Sequence, residues 1–211
     1  MEAFWQSIER NIHFLAQGGI MIVPIVVCSL IAVAFILERL WYYHQAQCNL
    51  DNLTSRLVPL VKQGQTHEAV SLCEQTRGVL PGILKIVVTH HHLPSEEIEK
   101  LVSIAGTREI QRLSHHVRGL GIIGHVTPLM GLLGTVLGMV RTFIQIAELQ
   151  GHVNPSVLAG GIWEALLTTA AGLTVAIPVV ILHHYCEGTV ERFAFQMKNE
   201  SLQFIHAVKY D

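Results

Sequence analysis

The sequence predicts an all-α membrane protein with three transmembrane helices. Three apolar runs support this, at residues 18–43, 119–148 and 157–186. Each is long enough to cross a bilayer, which takes about 20 mostly apolar residues in a helix. Charged residues make up 14% of the chain, whereas roughly 25% is usual for soluble domains. We therefore expect a lipid bilayer around much of the molecule.

The N-terminal part is predicted to lie on the membrane and then cross it. In residues 1–17, apolar side chains recur at three- and four-residue steps, which is typical of a helix along the membrane interface. The first span, 18–43, carries few polar side chains and is expected to be a plain lipid-facing anchor. It ends in Glu38, Arg39 and the aromatic residues 41–43, a composition typical of a membrane surface.

The largest polar region, residues 44–118, is predicted to be a cytoplasmic helical domain. Its helical patterns are separated by a turn at Gly64, and Ser95 is expected to cap a helix with acidic residues in its first turn. The last helix of this region is expected to lead into the second span. Residues 187–211 are predicted to form a cytoplasmic C-terminal helix.

The distribution of basic residues predicts the orientation. Lysines and arginines concentrate between the first two spans and after the third, whereas the loop at 149–156 has none. Under the positive-inside rule the N-terminus and this loop lie outside, and the long region and the C-terminus are cytoplasmic. Arg141 is an exception that lies near enough to the outer end of its span to snorkel.

Composition argues against several classes of function. A net charge of −2 gives no indication of nucleic-acid binding. The chain has no phosphate loop, nucleophile elbow or metalloprotease motif, so we do not expect an enzyme or a cofactor. The four cysteines form no CxxC pair, and the clustered histidines are neighbours in sequence, so we predict no metal site.

The second and third spans carry small residues at helical spacing. Gly131, Gly134 and Gly138 in the second, with Gly172 in the third, predict close helix packing in lipid. Thr135 could add a hydrogen bond across a helix interface. The alternative is that such a threonine bonds a carbonyl of its own helix.

Glu164 is the one carboxylate within the third apolar run. It shares a helical stripe with Thr168, and Thr169 lies on the adjacent stripe with Gly172. Such a face suits a lumen or a tight contact with a partner helix, because an ionisable group in hydrocarbon is costly. Alternatively, Glu164 is merely hydrated at the outer interface. A complete proton relay needs a second titrating group, which implies another subunit.

These residues resemble a known family over the full length of the chain. The segments Pro128-Leu129-Met130-Gly131-Leu132-Leu133-Gly134-Thr135-Val136-Leu137-Gly138-Met139 and Gly161-Ile162-Trp163-Glu164-Ala165-Leu166-Leu167-Thr168-Thr169-Ala170-Ala171-Gly172-Leu173 are similar to the second-span and third-span motifs of the MotA/TolQ/ExbB proton-channel family. Length and the single large loop resemble its ExbB and TolQ branches.

The resemblance implies a homopentamer in the bacterial inner membrane, with the second and third helices around a central pore. Two single-span ExbD- or TolR-like subunits would sit inside, each with a membrane aspartate. Thr135 and Thr169 would face that aspartate, and Glu164 and Thr168 would also line the pathway. Trp163 and Thr168 stand where other members often have smaller or apolar residues, which leaves branch and lumen width open.

The function implied is an ExbB-type motor subunit that uses proton-motive force to energise a TonB-like protein for outer-membrane transport. One alternative is a TolQ-like subunit that acts with a TolA-like protein in envelope maintenance. Another is a non-conducting scaffold that clamps a partner's helix. The expectation that the conducted ion is a proton and not sodium rests on the resemblance, because a hydroxyl-lined lumen could also coordinate sodium.

Overall fold

The computed structural model describes residues 19–46, 50–148 and 155–210, and every element in them is an α-helix. The predicted interfacial helix at 1–17, residues 149–154 of the predicted periplasmic loop, and Cys48 lie outside the described residues. In chain order the helices are α1 (Ile22–Ala46), α2 (Leu50–Lys62), α3 (Thr66–Gln75), α4 (Val79–Thr89), α5 (Ser95–Ser114), α6 (Val117–Glu148) and α7 (Pro155–Lys209).

Three of these helices, α1, α6 and α7, are long and apolar enough to cross a membrane, which confirms the prediction of three such helices. The predicted third span and C-terminal helix belong to one helix of 55 residues. Near their junction the residue least suited to a helix is Gly188, and a glycine inside a helix costs only about 0.5–1 kcal/mol relative to alanine. That cost is too small to end a helix supported by packing on both sides.

The chain divides into two compact units. The first comprises the described residues up to Ile36 together with Arg118–His184. Its large apolar side chains are mostly exposed, whereas most of its buried positions hold glycine, alanine or threonine. The larger buried residues are Ile22, Ile25, Leu120 and Val179. A water-soluble core has the opposite arrangement. Small residues inside and large apolar residues outside are what helices packed in lipid require. The outward-facing residues include Val23, Leu30, Leu129, Leu132, Phe143, Leu166, Ile177 and Ile181.

The second unit comprises Leu37–Val117 and the described residues from Tyr185. Its core is of the ordinary soluble kind, built from aliphatic side chains of α2 to α5 and from the C-terminal part of α7. As predicted, α2 ends in a turn at Gly64, whose φ of 72° is a left-handed value that favours glycine. The largest fully buried side chains here are Leu57, Ile83, Leu84, Val87, Val88, Ile98 and Leu113.

The prediction that Ser95 caps α5 is wrong. Pro94 is the N-cap, with φ −54° and ψ 146°, and Ser95 is the first helical residue without a capping hydrogen bond. The Pro94 carbonyl accepts the amides of Glu97 and Ile98 at 3.0 and 3.2 Å. Proline already has the φ that a helix start needs, so the chain turns into the helix one residue earlier than the serine suggests.

Candidate functional site

The site lies in the first unit, where α6 and α7 pack antiparallel. A β-carbon built on Gly131 would lie 3.2 Å from the Thr168 carbonyl oxygen and from the Thr169 Cα. One built on Gly138 would lie 3.2 Å from the Ala165 Cβ, and one on Gly134 would overlap the Thr168 side chain. These distances leave no room for larger side chains, so the glycines set how closely the two backbones approach.

The three threonines named from the sequence have different surroundings. Thr168 is buried, and its hydroxyl donates to the carbonyl of Glu164 on its own helix at 2.8 Å. Thr169 donates across the interface to the Gly131 carbonyl on α6 at 2.9 Å. Thr135 is half-buried, and its hydroxyl donates to the Leu132 carbonyl at 2.6 Å. The structure thus joins Thr169 to α6, whereas the hydroxyls of Thr168 and Thr135 bond to their own helices.

Glu164 has a partner that sequence reasoning did not supply. Its Oε1 lies 3.5 Å from Nη1 of Arg141, which is on α6. The same oxygen is so close to Gly19 that a β-carbon at position 19 would overlap it. Gly19 also has a φ of 72°, which a larger residue would adopt only with strain. The carboxylate therefore lies where the start of α1, α6 and α7 meet.

The close α6–α7 contact is longer than the glycine motif indicated. Toward the N-terminal end of α6, a β-carbon on Gly124 would lie 2.8 Å from Val180 Cγ2, and one on Gly172 would lie 2.9 Å from the Thr127 carbonyl oxygen. Toward the C-terminal end of α6, the hydroxyl of the buried Thr142 lies so close to Gly161 that a β-carbon built on Gly161 would overlap it. A signal for this was available, since Gly124, Gly131 and Gly138 recur every seven residues.

A second polar cluster, which sequence reasoning missed, lies in the other unit. Arg39 is buried, and its Nη1 donates to the carbonyls of Arg112 and Leu113 at 3.0 and 3.1 Å. Its Nε and Nη2 donate to the Glu38 carboxylate at 2.9 and 2.6 Å. Tyr43 adds a hydrogen bond to the Leu113 carbonyl at 3.2 Å. Arg39 and Tyr43 thus donate to carbonyls at the end of α5, where few backbone amides are available; the Arg112 carbonyl also accepts the His115 amide at 3.5 Å.

His116 completes this cluster just after α5 ends. Its Nδ1 lies 3.2 Å from Nη2 of Arg39 and 2.5 Å from a carboxylate oxygen of Glu38. The sequence offered one weak signal for the cluster, an adjacent Glu38-Arg39 pair at the end of an apolar run. Nothing in that pattern indicates which helix end, more than 70 residues later, the guanidinium will cap.

The residues of the α6–α7 site offer hydroxyls, backbone carbonyls, one carboxylate and one guanidinium. This set does not match the histidine and thiolate ligands that tightly bound transition metals prefer. It can exchange protons, because a carboxylate titrates, and it can pass hydrogen bonds between helices. These polar groups form a strip within an otherwise apolar helix pair. We call it the polar strip, and it comprises Thr135, Glu164, Thr168 and Thr169.

Long apolar helices with small residues inside and a polar strip between them define a multi-span α-helical membrane protein. The chain belongs to the MotA/TolQ/ExbB proton channel family, whose model matches residues 75–199. It is accordingly a channel protein and not an enzyme.

The chain is also similar to several biopolymer transport proteins. The chain is 32% identical over 170 residues to the biopolymer transport protein exbB1 of Vibrio cholerae serotype O1, which covers 78% of this chain and 73% of that protein. It is 30% identical over 165 residues to the putative biopolymer transport protein ExbB-like 3 of Synechocystis, covering 78% and 79%. With the biopolymer transport protein ExbB of Pseudomonas putida, identity is 37% over 114 residues, or 54% and 33% of the two chains.

Proposed function

We propose that this chain is the inner-membrane proton-channel subunit of an ExbB-type motor. Five copies would surround a central pore with α6 and α7, and two single-span ExbD-like subunits with a membrane aspartate would sit inside. Proton-motive force would drive this assembly to energise a TonB-like protein for outer-membrane transport. The family match and the names of the relatives, biopolymer transport proteins of the ExbB type, support this branch over the TolQ-like alternative.

The observation that carries the proposal is the polar strip on two otherwise apolar helices. Thr169 bonds to the Gly131 carbonyl on α6, and Glu164 stands at one end of the same interface. Polar groups within apolar helices are costly unless a buried contact or a pathway uses them. Thr135 and the part of Glu164 that remains exposed are the groups available to a partner helix. Thr168 is buried against Gly134, and we assign it a packing role beside the pathway.

The test compares threonine variants in liposomes that contain the chain and its ExbD-like partner. We expect Thr135→Ala or Thr169→Ala to abolish proton flux and energised transport while the pentamer still assembles. The matched control is Thr174→Ala, because Thr174 is exposed on α7 and donates to its own helix's Ala170 carbonyl at 2.7 Å. Flux that persists in both variants would favour the helix-clamping scaffold.

Glu164 gives an independent test of the pathway. We expect Glu164→Ala to impair flux more than Glu164→Gln, because glutamine keeps a hydrogen-bonding side chain of the same length. Equal activity in the wild type and both variants would reduce Glu164 to a hydrated interfacial residue. Running the assay with a sodium gradient in place of the proton gradient decides the conducted ion.

We also propose that the N-terminus and the loop at 149–156 face the periplasm. An impermeant maleimide applied to intact inner-membrane vesicles of known orientation should distinguish Glu148→Cys from Gln63→Cys. Both side chains are exposed, so accessibility to the reagent depends on the side of the membrane. Labelling of both positions from one side would refute this topology.

A further inference from the structure

We propose that Arg141 is the positioning residue for Glu164, and that protonation of Glu164 releases it from Arg141. This inference rests on the proposed function and adds a control element to the same site. Arg141 is not among the residues expected to line the pathway. Its position in the α6–α7 interface, next to the Glu164 carboxylate, suits it to position that side chain.

The geometry joins three elements at one carboxylate. Glu164 Oε1 lies 3.5 Å from Arg141 Nη1, across the α6–α7 interface, and it abuts Gly19 at the start of α1. Arg141 side-chain exposure is 54% and that of Glu164 is 33%, so the pair is reachable from outside the chain. The charged group that faces Glu164 from α6 is Arg141. Gly19 presents only backbone there, and on α7 the neighbouring Thr168 bonds to the Glu164 carbonyl.

The physical effect of the pair follows from its surroundings. A lone carboxylate beside hydrocarbon is costly, and a guanidinium within ion-pair distance neutralises its charge. Arginine remains protonated at every accessible pH, so Arg141 acts as a fixed positive charge. The carboxylate is therefore held toward α6 and Gly19 for as long as it is ionised.

Proton uptake changes this balance. When Glu164 accepts a proton from a hydronium ion, an O–H bond forms, one water molecule is released and the side chain becomes neutral. The Coulomb attraction to Arg141 then disappears, although a weaker hydrogen bond remains possible. The neutral side chain can leave the pair and turn to a group on a partner helix. Loss of the proton restores the charge and returns the carboxylate to Arg141.

The experiment measures proton flux against pH in liposomes containing the full chain and its ExbD-like partner. In R141Q we expect the pH of half-maximal flux to rise above that of the wild type, because the variant removes the positive charge that faces Glu164 across the α6–α7 interface. R141K, which keeps the charge, should lie closer to the wild type than R141Q does. The matched control R118Q removes an exposed arginine from the same helix and should leave the profile unchanged.

A double variant tests whether Arg141 acts through Glu164. In the E164Q background, R141Q should cause no further change in the profile, because there is no carboxylate to position. A wild-type profile in R141Q, or an equal shift with and without Glu164, would overturn the inference. If R141Q does not assemble, E164D takes its place and should shift the profile in the same direction by less, since its carboxylate is one methylene further from Arg141.

The two proposals fail in different ways. If the unmodified complex passes no protons, the proposed function is refuted and this inference falls with it. If the unmodified complex conducts and R141Q follows the same pH profile, only the positioning role of Arg141 is refuted.

Discussion

Replacing Arg39 by methionine is expected to destabilise the second unit severely. The methionine keeps most of the aliphatic volume but removes every hydrogen bond that the guanidinium donates. Four of those bonds reach the carbonyls of Arg112 and Leu113 and both oxygens of the Glu38 carboxylate. Arg39 is 5% exposed, so water cannot easily replace the lost donors.

The magnitude follows from the two carbonyl bonds. A hydrogen bond to a charged group contributes about 1.5–3 kcal/mol. Neither carbonyl is left without a donor, because Tyr43 still donates to Leu113 at 3.2 Å and the His115 amide to Arg112 at 3.5 Å. The Glu38 side chain is 42% exposed, so its ion pair is screened and adds less. We expect the free energy of unfolding of this unit to fall by about 3–5 kcal/mol, which is close to the contribution of the two carbonyl bonds together. Tyr43→Phe removes one neutral bond and should cost about 1 kcal/mol.

Pulse proteolysis in urea, on the full chain in detergent micelles, gives these differences, since cleavage follows the population of the open form. The matched control is Arg112→Met. The Arg112 side chain is 72% exposed and pairs with Glu109 within one helix, so its loss should cost less than about 1 kcal/mol. The reasoning would be refuted if Arg39→Met cost no more than Arg112→Met, since burial and the α5 carbonyls would then contribute nothing.

Three further predictions concern packing and pH. Gly134→Ala should lower thermal stability, by about 1–3 kcal/mol, because the added methyl overlaps Thr168. Gly160→Ala has open space and should raise it slightly, by about 0.5–1 kcal/mol, because alanine favours a helix interior over glycine. Thermal melts of the two variants compare them directly. Thr169→Val should lose the bond to α6 and cost about 1 kcal/mol in the same melts. Burial raises the pKa of the Cys73 thiol to about 11 from its ordinary value of 9.0. The unfolded chain therefore ionises first, so stability falls between about pH 9 and 11, by up to about 3 kcal/mol, and Cys73→Ala should remove that loss.

Hydropathy and helical spacing were sufficient for the three long helices and for the close approach at Gly131, Gly134 and Gly138. Both depend on local properties, since a span is recognised by its own length and a glycine by its missing side chain. The buried Arg39 could not be predicted in the same way. Its acceptors lie 73 and 74 residues away, and only the assembled fold brings them together.

Glu164 illustrates the same limit within one site. The sequence indicated that this acid needs a partner and implied that the partner belongs to another subunit. For Arg141 the sequence predicted only that its side chain extends toward the membrane surface. Pairing them requires the antiparallel register of α6 and α7, which follows from the glycine contacts seen in the structure.

Thr168 and Thr169 show why a helical wheel does not assign roles. The wheel separates the two by about 100° and groups Thr168 with Glu164. It does not say which stripe the neighbouring helix covers. That is decided by Gly134, whose missing side chain leaves the space that Thr168 fills, and by Gly131, whose carbonyl accepts the Thr169 hydroxyl. An alanine at Gly134 would therefore act on Thr168 first, so a Gly134→Ala, Thr168→Ser double variant should recover part of the stability lost by Gly134→Ala alone. The recovery is partial because the Thr168 Cβ, which serine keeps, would still lie 2.8 Å from the new β-carbon. Serine lacks the methyl that the new side chain would overlap, and thermal melts that show no recovery would contradict this account of the interface.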